Sequence, residues 1–431
     1  MEFDFETLVE RSGANLKLMM TPPEVVKAGN ISLDGAEPDF KSAPVIEEAV
    51  IRFAKNGLYG FTLPDEAYKS AVTKWMQMSR KTQIKPEWIV TTLGTIYSLA
   101  TTIRLVCTDP DDGIIVTTPV YNRYRQAADR LNKRTVECPL LYDSVNGSYQ
   151  MDFDAIKSAM ANPNNKLFVL CNPHNPIGQI WKEKDLVRLA ELANRYGVIV
   201  YSDEIFADNC YQGLTCPCYL DIKGAKSHAI VATGLGKSFG FTGVNHANII
   251  IADDELRARF TDRRTRDHYG SLDPCVYECV LSAYTKDGKA WVDASNAYVW
   301  ENMCVLRDYF AKHLPKARVC GGEGAYILWI DWSAYFSSGD ELNEFLVKKA
   351  HVCLGEGSDY DSPLFTRVCM ATPRKCLIKT LESIGKAFSK FGKENRHNRK
   401  IRIYTQKKQY KQNKPLKMKN MMFNNCFNNI G

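Results

Sequence analysis

Between about residues 86 and 252, short apolar runs alternate with segments of helical period. GIIVTTP (113–119), KLFVLCN (166–172), GVIVYSDE (197–204), HAIVATG (228–234) and NIIIA (248–252) are nearly continuous in apolar, largely β-branched residues. Runs of this kind are expected of strands buried on both faces, as in a parallel sheet covered by helices. Between two of them, KEKDLVRLAELANRYG places Leu186, Leu189, Ala190 and Ala193 on one helical face, with Gly197 as a stop. A repeated strand–helix–strand pattern predicts an α/β fold, a large domain with a mostly parallel sheet flanked by helices.

The texture changes after about residue 284. A long helical stretch, WVDASNAYVWENMCVLRDYFAKHL, leads into GGEGAYILWIDW; then come a helix around ELNEFLVKKA, a short segment FTRVCMA and a last helix near 375–391. Helices mixed with two or three short strands predict a smaller α+β domain packed on the first. The expected division is therefore an N-terminal segment 1–43 that joins the smaller domain or reaches a neighbouring subunit, a large domain 44–284, a small domain 285–392 and a tail 393–431.

Charge sharpens this division. The chain of 431 residues has a formal net charge of +7, yet residues 393–431 alone carry +10 and the remainder −3. The tail is rich in Lys and Asn without a sustained apolar period, so it reads as a disordered, solvated segment. Its basic run could contact nucleic acid, but no interleaved aromatic platform accompanies the charges, and nucleic acid is not the expected partner. The acidic N-terminus, MEFDFETLVERSG, has no apolar run resembling a signal or membrane span, and a cytoplasmic location is the expectation. Fourteen scattered cysteines contain no CxxC pair, which favours buried free thiols over disulfides or a metal site.

Ligands of parallel α/β sheets bind beyond the carboxyl ends of the strands, so the polar residues there belong together. GIIVTTP is followed by Tyr121, KLFVLCN by Asn175 in NPHNPIG, GVIVYS by Asp203 and HAIVATG by Lys237 in TGLGKSFGFTG. A phosphate loop around Lys237 would need glycine at 231, where Val231 stands, and this weighs against a nucleotide site. A loop lysine pointing to solvent explains Lys237 taken alone.

The group of residues favours another chemistry. A pyridine-aldehyde cofactor needs an amine for a Schiff base, an anion beside its ring nitrogen, a donor to its ring oxygen, an aromatic face and a cradle for its phosphate. Lys237, Asp203, Asn175 and Tyr121 supply the first four. In TTLGTIYSLATTIRLVC, Gly94 and Thr95 open an amphipathic helix whose free N–H groups favour a phosphate.

The order NPHNPIG, then SDEI with Asp203 28 residues beyond Asn175, then GKSFG with Lys237 34 residues further, resembles the class I/II aminotransferase family of fold-type I pyridoxal phosphate enzymes. YGFTLPDEAYKSAVTKWM, TTPVY, LCNPHNPIGQIW and GKAWVDA resemble its carbon–sulfur β-lyase branch, which includes cystathionine β-lyases and cystalysin. The resemblance covers about residues 1–391.

It implies pyridoxal 5′-phosphate as cofactor, Lys237 as Schiff-base and catalytic lysine, and Asp203 at the pyridine nitrogen. It further implies Asn175 at the ring oxygen, Tyr121 stacked on the ring, Gly94 and Thr95 at the phosphate, and Arg367 in FTRVCMA as the fork for the substrate carboxylate. The implied reaction is α,β-elimination from cystathionine, cysteine or a related S-conjugate, giving pyruvate, ammonia and a thiol. Transamination is the alternative, and a non-catalytic binding protein that keeps the fold is the remote one. A homodimer acting on a small amino-acid substrate, without a metal, is implied as well. Several positions depart from the family pattern: Phe206 for a Tyr or His, Phe61 for a tyrosine that reaches the phosphate from a neighbouring subunit, Gly234 and Gly236 for hydroxyl residues, Asn245 for an arginine, and Asn122 for a second tyrosine. Weak cofactor affinity is the expected consequence, at roughly 1 kcal/mol for each hydrogen bond removed.

Overall fold

The structure is a computed structural model that describes residues 3–267 and 270–390. The basic tail, and with it the nucleic-acid option, lies outside the described residues.

Seven of the β-rich segments form one twisted sheet. In chain order they are β1 (Ile89–Thr92), β2 (Gly113–Thr118), β3 (Arg134–Pro139), then, after a small hairpin of β4 (Leu141–Asp143) and β5 (Ser148–Gln150), β6 (Asn165–Cys171), β7 (Ile199–Asp203), β8 (Ala229–Thr233) and β9 (Ala247–Ile250). The spatial order is β1-β9-β8-β7-β6-β2-β3. Strands β3, β2, β6, β7 and β8 pair in parallel, whereas β9 runs antiparallel between β8 and β1. The central strands bury both faces, which explains why their sequences are apolar without alternation.

Helices cover the sheet as their apolar stripes predict. Leu186, Leu189, Ala190 and Ala193 of helix Glu183–Tyr196 are buried, and Gly197 ends that helix with a left-handed φ of 68°. Thr95–Val106 buries Leu99 and Ile103 against the opposite face.

The C-terminal part contains the 28-residue helix Lys286–His313 and an antiparallel sheet of four strands rather than two or three. These are β10 (Arg318–Gly321), β11 (Ile327–Asp331), β12 (Gly355–Glu356) and β13 (Phe365–Cys369), in the order β10-β11-β13-β12. The two additional strands are four and two residues long, too short to carry an apolar period.

The N-terminal segment is pinned to this smaller sheet by backbone bonds. Leu33 N–H donates to Cys353 O at 2.9 Å, Cys369 N–H to Leu33 O at 2.9 Å and Asp39 N–H to Ala371 O at 2.9 Å. Buried Asp39 also accepts from Lys17 Nζ at 2.8 Å and from Arg11 Nη2 at 3.0 Å. These contacts fix residues 35–37, which reach back to the carboxyl edge of the large sheet. The thirteen described cysteines are free thiols, most of them buried.

Candidate active site

The carboxyl ends of β1, β2, β6, β7 and β8 open into one cavity of about 570 Å³. Gly94, Thr95, Tyr121, Asn175, Asp203, Lys237 and Arg367 all line it. Every site residue singled out in the sequence is thus brought to one place, although the group spans more than 270 positions.

Lys237 lies in a single helical turn, Leu235–Ser238, directly after β8. Its half-buried side chain donates from Nζ to Ala36 O at 2.8 Å and to Thr242 Oγ1 at 3.4 Å, with Nζ 5.6 Å from the centre of the Phe206 ring. Burial, with the Arg367 charge adding to it, pulls the ammonium down to about 8. A Schiff-base amine must be neutral to attack a carbonyl, and the lowered value brings the Lys237 amine closer to that form.

Asp203 ends β7 and is 4% exposed. Burial pushes its carboxyl up to about 6, opposed by a hydrogen bond from Tyr124 Oη to Oδ2 at 2.9 Å and by one from Ile205 N–H to Oδ1 at 3.2 Å. Tyr124, which also lines the cavity, is not one of the residues that the strand ends point to. It lies one helical turn beyond Tyr121, and the two rings meet edge to face at 5.6 Å. The signal available in the sequence was that i, i+3 spacing in YNRY.

Asn175 is buried, and its backbone carbonyl accepts from Tyr121 N–H at 3.1 Å, which ties the ring-stacking candidate to the loop after β6. Its Oδ1 accepts from Arg367 Nη1 at 3.3 Å. Arg367 is carried by β13 of the small sheet, is 6% exposed, and donates from Nη2 to Asp34 Oδ1 at 3.2 Å. Its guanidinium carbon lies 5.3 Å from the centre of the Tyr360 ring. One side chain from the smaller sheet thus closes a cavity built by the larger one, with a planar fork suited to a carboxylate.

Gly94 caps the helix Thr95–Val106 with φ 141°, and no side chain caps that terminus. Ser98 Oγ donates to Gly94 O at 2.7 Å and meets Thr92 Oγ1 at 2.6 Å, which holds the turn in place. The first-turn N–H groups are left to face the cavity, a ready site for an anion. A phosphorylated pyridine aldehyde therefore fits the residues present: an amine, a buried carboxylate, an aromatic face and an uncapped helix terminus share one cavity of sufficient volume.

The departures from the family pattern are spread over different places, and Asn122 stands before helix Arg123–Arg130 without capping it through its side chain. Phe206, Gly236 and Asn245 line the cavity, and Phe206 packs edge to face on Tyr326 at 5.3 Å. Gly234 is the tight one: a Cβ there would stand 3.3 Å from His246 Nδ1 and from His246 O. Phe61 and Tyr59 are on the surface of this chain, Phe61 wholly exposed and Tyr59 66% exposed.

Comparison with known proteins agrees with this geometry. The family model for aminotransferase class I and II matches residues 28–384. Cystathionine beta-lyase PatB of Bacillus subtilis is 31% identical over 326 residues, which cover 75% of this chain and 83% of that protein. The crystal structure of cystalysin from Treponema denticola, which contains a pyridoxal 5′-phosphate cofactor, superposes with a TM-score of 0.85 at 28% identity, over 91% of this chain and all of that one. A bifunctional aspartate aminotransferase and glutamate/aspartate-prephenate aminotransferase of Petunia hybrida is 23% identical over 380 residues, 83% of this chain and 76% of its own. The fold is that of the fold-type I pyridoxal phosphate enzymes, and the chain belongs to the aminotransferase class I and II family.

Proposed function

We propose that this protein is a pyridoxal phosphate-dependent carbon–sulfur β-lyase that cleaves cystathionine, cysteine or a related S-conjugate to pyruvate, ammonia and a thiol. The observation that carries the reading is the single cavity in which Lys237, Asp203, Asn175, Tyr121 and Arg367 converge on an uncapped helix terminus. The likeness to PatB and cystalysin supports the lyase choice within the family.

When bound, the cofactor supplies a pyridinium ring that accepts the electron pair left on Cα once its proton is removed. Each protein group has a separate task. Gly94 and Thr95 offer backbone N–H groups to the phosphate. Tyr121 gives an aromatic face, and Asn175 can donate from its amide to the ring oxygen while its Oδ1 orients Arg367. Asp203 keeps a proton on the ring nitrogen, and Tyr124 holds that carboxylate in orientation. Arg367 takes the substrate carboxylate and thereby directs the Cα–H bond toward Lys237. Lys237 Nζ, already lowered toward neutrality, takes the Cα proton. A thiolate then leaves from Cβ, and water converts the remaining carbon skeleton to pyruvate and ammonia.

Transamination would use the same groups, with Lys237 giving back the proton it takes and no group lost from Cβ. Incubation with L-cystathionine is the test: release of pyruvate with homocysteine is expected. Exchange of amino groups between an amino acid and a keto acid, with no pyruvate or sulfide released from sulfur substrates, would assign the chain to the aminotransferases instead.

We further propose a homodimer acting in the cytoplasm. Leu58, Tyr59, Phe61 and Leu63 form an exposed apolar run on the loop before helix Glu66–Arg80, which supports a second copy as the group that covers it. Among the described residues, no helix is long and apolar enough to cross a membrane. Sedimentation of the purified protein, expected at twice the chain mass, tests the dimer.

A further inference from the structure

Arg367 does not stand in the cavity with its fork open. Nη1 donates to Asn175 Oδ1 at 3.3 Å and Nη2 to Asp34 Oδ1 at 3.2 Å, so each end of the guanidinium already holds an oxygen before a substrate carboxylate arrives. The two partners differ in kind. Asn175 is neutral, whereas Asp34 is a carboxylate, the same chemical group that the fork takes from an amino acid. Arg367 is 6% exposed, but the Asp34 side chain is 39% exposed, which puts the acid on the solvent side of the pair.

The backbone around Asp34 holds this contact in place. Leu33, the residue before it, is bonded through its N–H to Cys353 O and through its O to Cys369 N–H, and Asp34 N–H donates to Ser32 Oγ at 3.1 Å. Gly35 N–H donates to Asp34 Oδ1 at 2.5 Å, so the oxygen that meets Arg367 is also fixed from its own loop. On β12, Gly355 pairs with Arg367 of β13, and a Cβ at 355 would stand 2.7 Å from Asp34 Oδ1. A side chain at 355 would compete for the space of this carboxylate, and glycine leaves that space free.

We infer that Asp34 is a resident competitor for the substrate's carboxylate: it shares Arg367 with every amino acid that binds and so sets how strongly the fork holds it. When a substrate carboxylate reaches the fork, two anions face one buried cation. Either Asp34 gives up Nη2 to the incoming oxygen or the two carboxylates stand side by side on the guanidinium, and both routes weaken the grip, by a lost contact or by like-charge repulsion. The same competition assists departure. Pyruvate keeps the carboxylate that the fork held, as would the keto acid of a transamination, and Asp34 is placed to take Nη2 back as the product leaves. The inference rests on the assignment of Arg367 to the substrate carboxylate in the proposed function, and it holds for elimination and for transamination alike.

The test measures the binding of two half-substrates to the purified holoenzyme: 3-(methylthio)propionate, which has the carboxylate and no amine, and 2-(methylthio)ethylamine, which has the amine and no carboxylate. Asp34→Asn keeps the size of the side chain and an oxygen for Arg367 but removes the charge. It is expected to tighten the carboxylate roughly 5- to 20-fold, the scale of one like-charge contact at a partly exposed site, to change the amine less than about threefold, and to lower KM for L-cystathionine by a factor similar to the first. Gly355→Ala, which crowds Asp34 Oδ1 away from Nη2, should act in the same direction and add little to Asp34→Asn. If Asp34 only orients Arg367, both variants loosen the carboxylate; that result, unchanged binding, or equal tightening of both half-substrates overturns the inference. A tightened carboxylate with no pyruvate from L-cystathionine supports the inference and sinks the lyase reading. Failure of both the wild type and Asp34→Asn to bind the carboxylate removes Arg367 from its assigned role and overturns this inference with it.

Discussion

Tyr124 Oη donates a 2.9 Å hydrogen bond to Asp203 Oδ2 inside a cavity wall where both residues are buried. The two come from different layers, the helix after β2 and the end of β7, and each needs the other. Asp203 needs a donor because burial raises its carboxyl to about 6, and Tyr124 is itself raised, first by burial and then by the carboxylate charge. Removing the donor in Tyr124→Phe should raise Asp203 further. The acid limb of the pH–rate profile then moves to higher pH, with kcat/KM reduced roughly tenfold at neutral pH, a loss typical of one hydrogen bond to a charged group. A profile superimposable on the wild type would exclude a role for this bond.

The same carboxyl sets a cost in stability. Its folded-state value, about 6, lies above the ordinary 3.8, so the folded apoprotein holds this proton more tightly than the unfolded chain. The contribution is fully present below about pH 4 and is lost as pH rises through 6, leaving the apoprotein destabilised at neutral pH by ~2–3 kcal/mol. Asp203→Asn should therefore stabilise the apoprotein at pH 7 by up to that amount and add little at pH 4, while abolishing most activity. Denaturant melts of both proteins at the two pH values check it.

Lys237 shows the opposite displacement, down to about 8, with burial as the first cause and the Arg367 charge as the second. As the group that takes a proton, it is active in the neutral form, so the corresponding step speeds up as pH rises through its value. Arg367→Met removes one of the two causes and should raise Lys237, moving that limb upward. It should also raise KM for amino-acid substrates by roughly 30- to 1000-fold, as expected when one partner of a buried ionic contact is lost. Arg367→Lys restores charge but not the planar fork and should recover KM only in part. Steady-state kinetics across pH separates the two effects; an unchanged KM in both variants would remove Arg367 from substrate binding.

How much of this was legible in the sequence follows from what each signal requires. The parallel strands could be read because residues such as Ile114–Val116 and Leu167–Leu170 are buried on both faces and leave unbroken apolar runs. Lys237, Asp203 and Asn175 could be found because strand ends are where such folds place ligands. Strands β10 and β12 could not, since segments of four and two residues have no measurable period. Asp34 is also out of reach, since its contact with Arg367 joins positions far apart in the chain.

Beneath the cavity floor, Arg80 and Glu204 form an ion pair at 2.5 Å with both side chains out of contact with solvent. Glu204 follows Asp203 directly, and its Oε1 accepts from Ser202 Oγ and from Tyr219 N–H, each at 2.8 Å. These bonds fix the backbone at the end of β7 and so the direction in which Asp203 points. Arg80→Met leaves Glu204 as a buried, uncompensated charge and should cost about 3–5 kcal/mol, whereas Arg80→Met with Glu204→Leu removes both charges and should recover a large part of that loss. The double variant still lacks the bonds to Ser202 and Tyr219, so its Asp203 is less firmly oriented and kcat should remain below wild type even where stability returns. Denaturation midpoints and kcat measured on the single and double variants separate the two roles; stability and kcat recovering together would confine the pair to holding the fold.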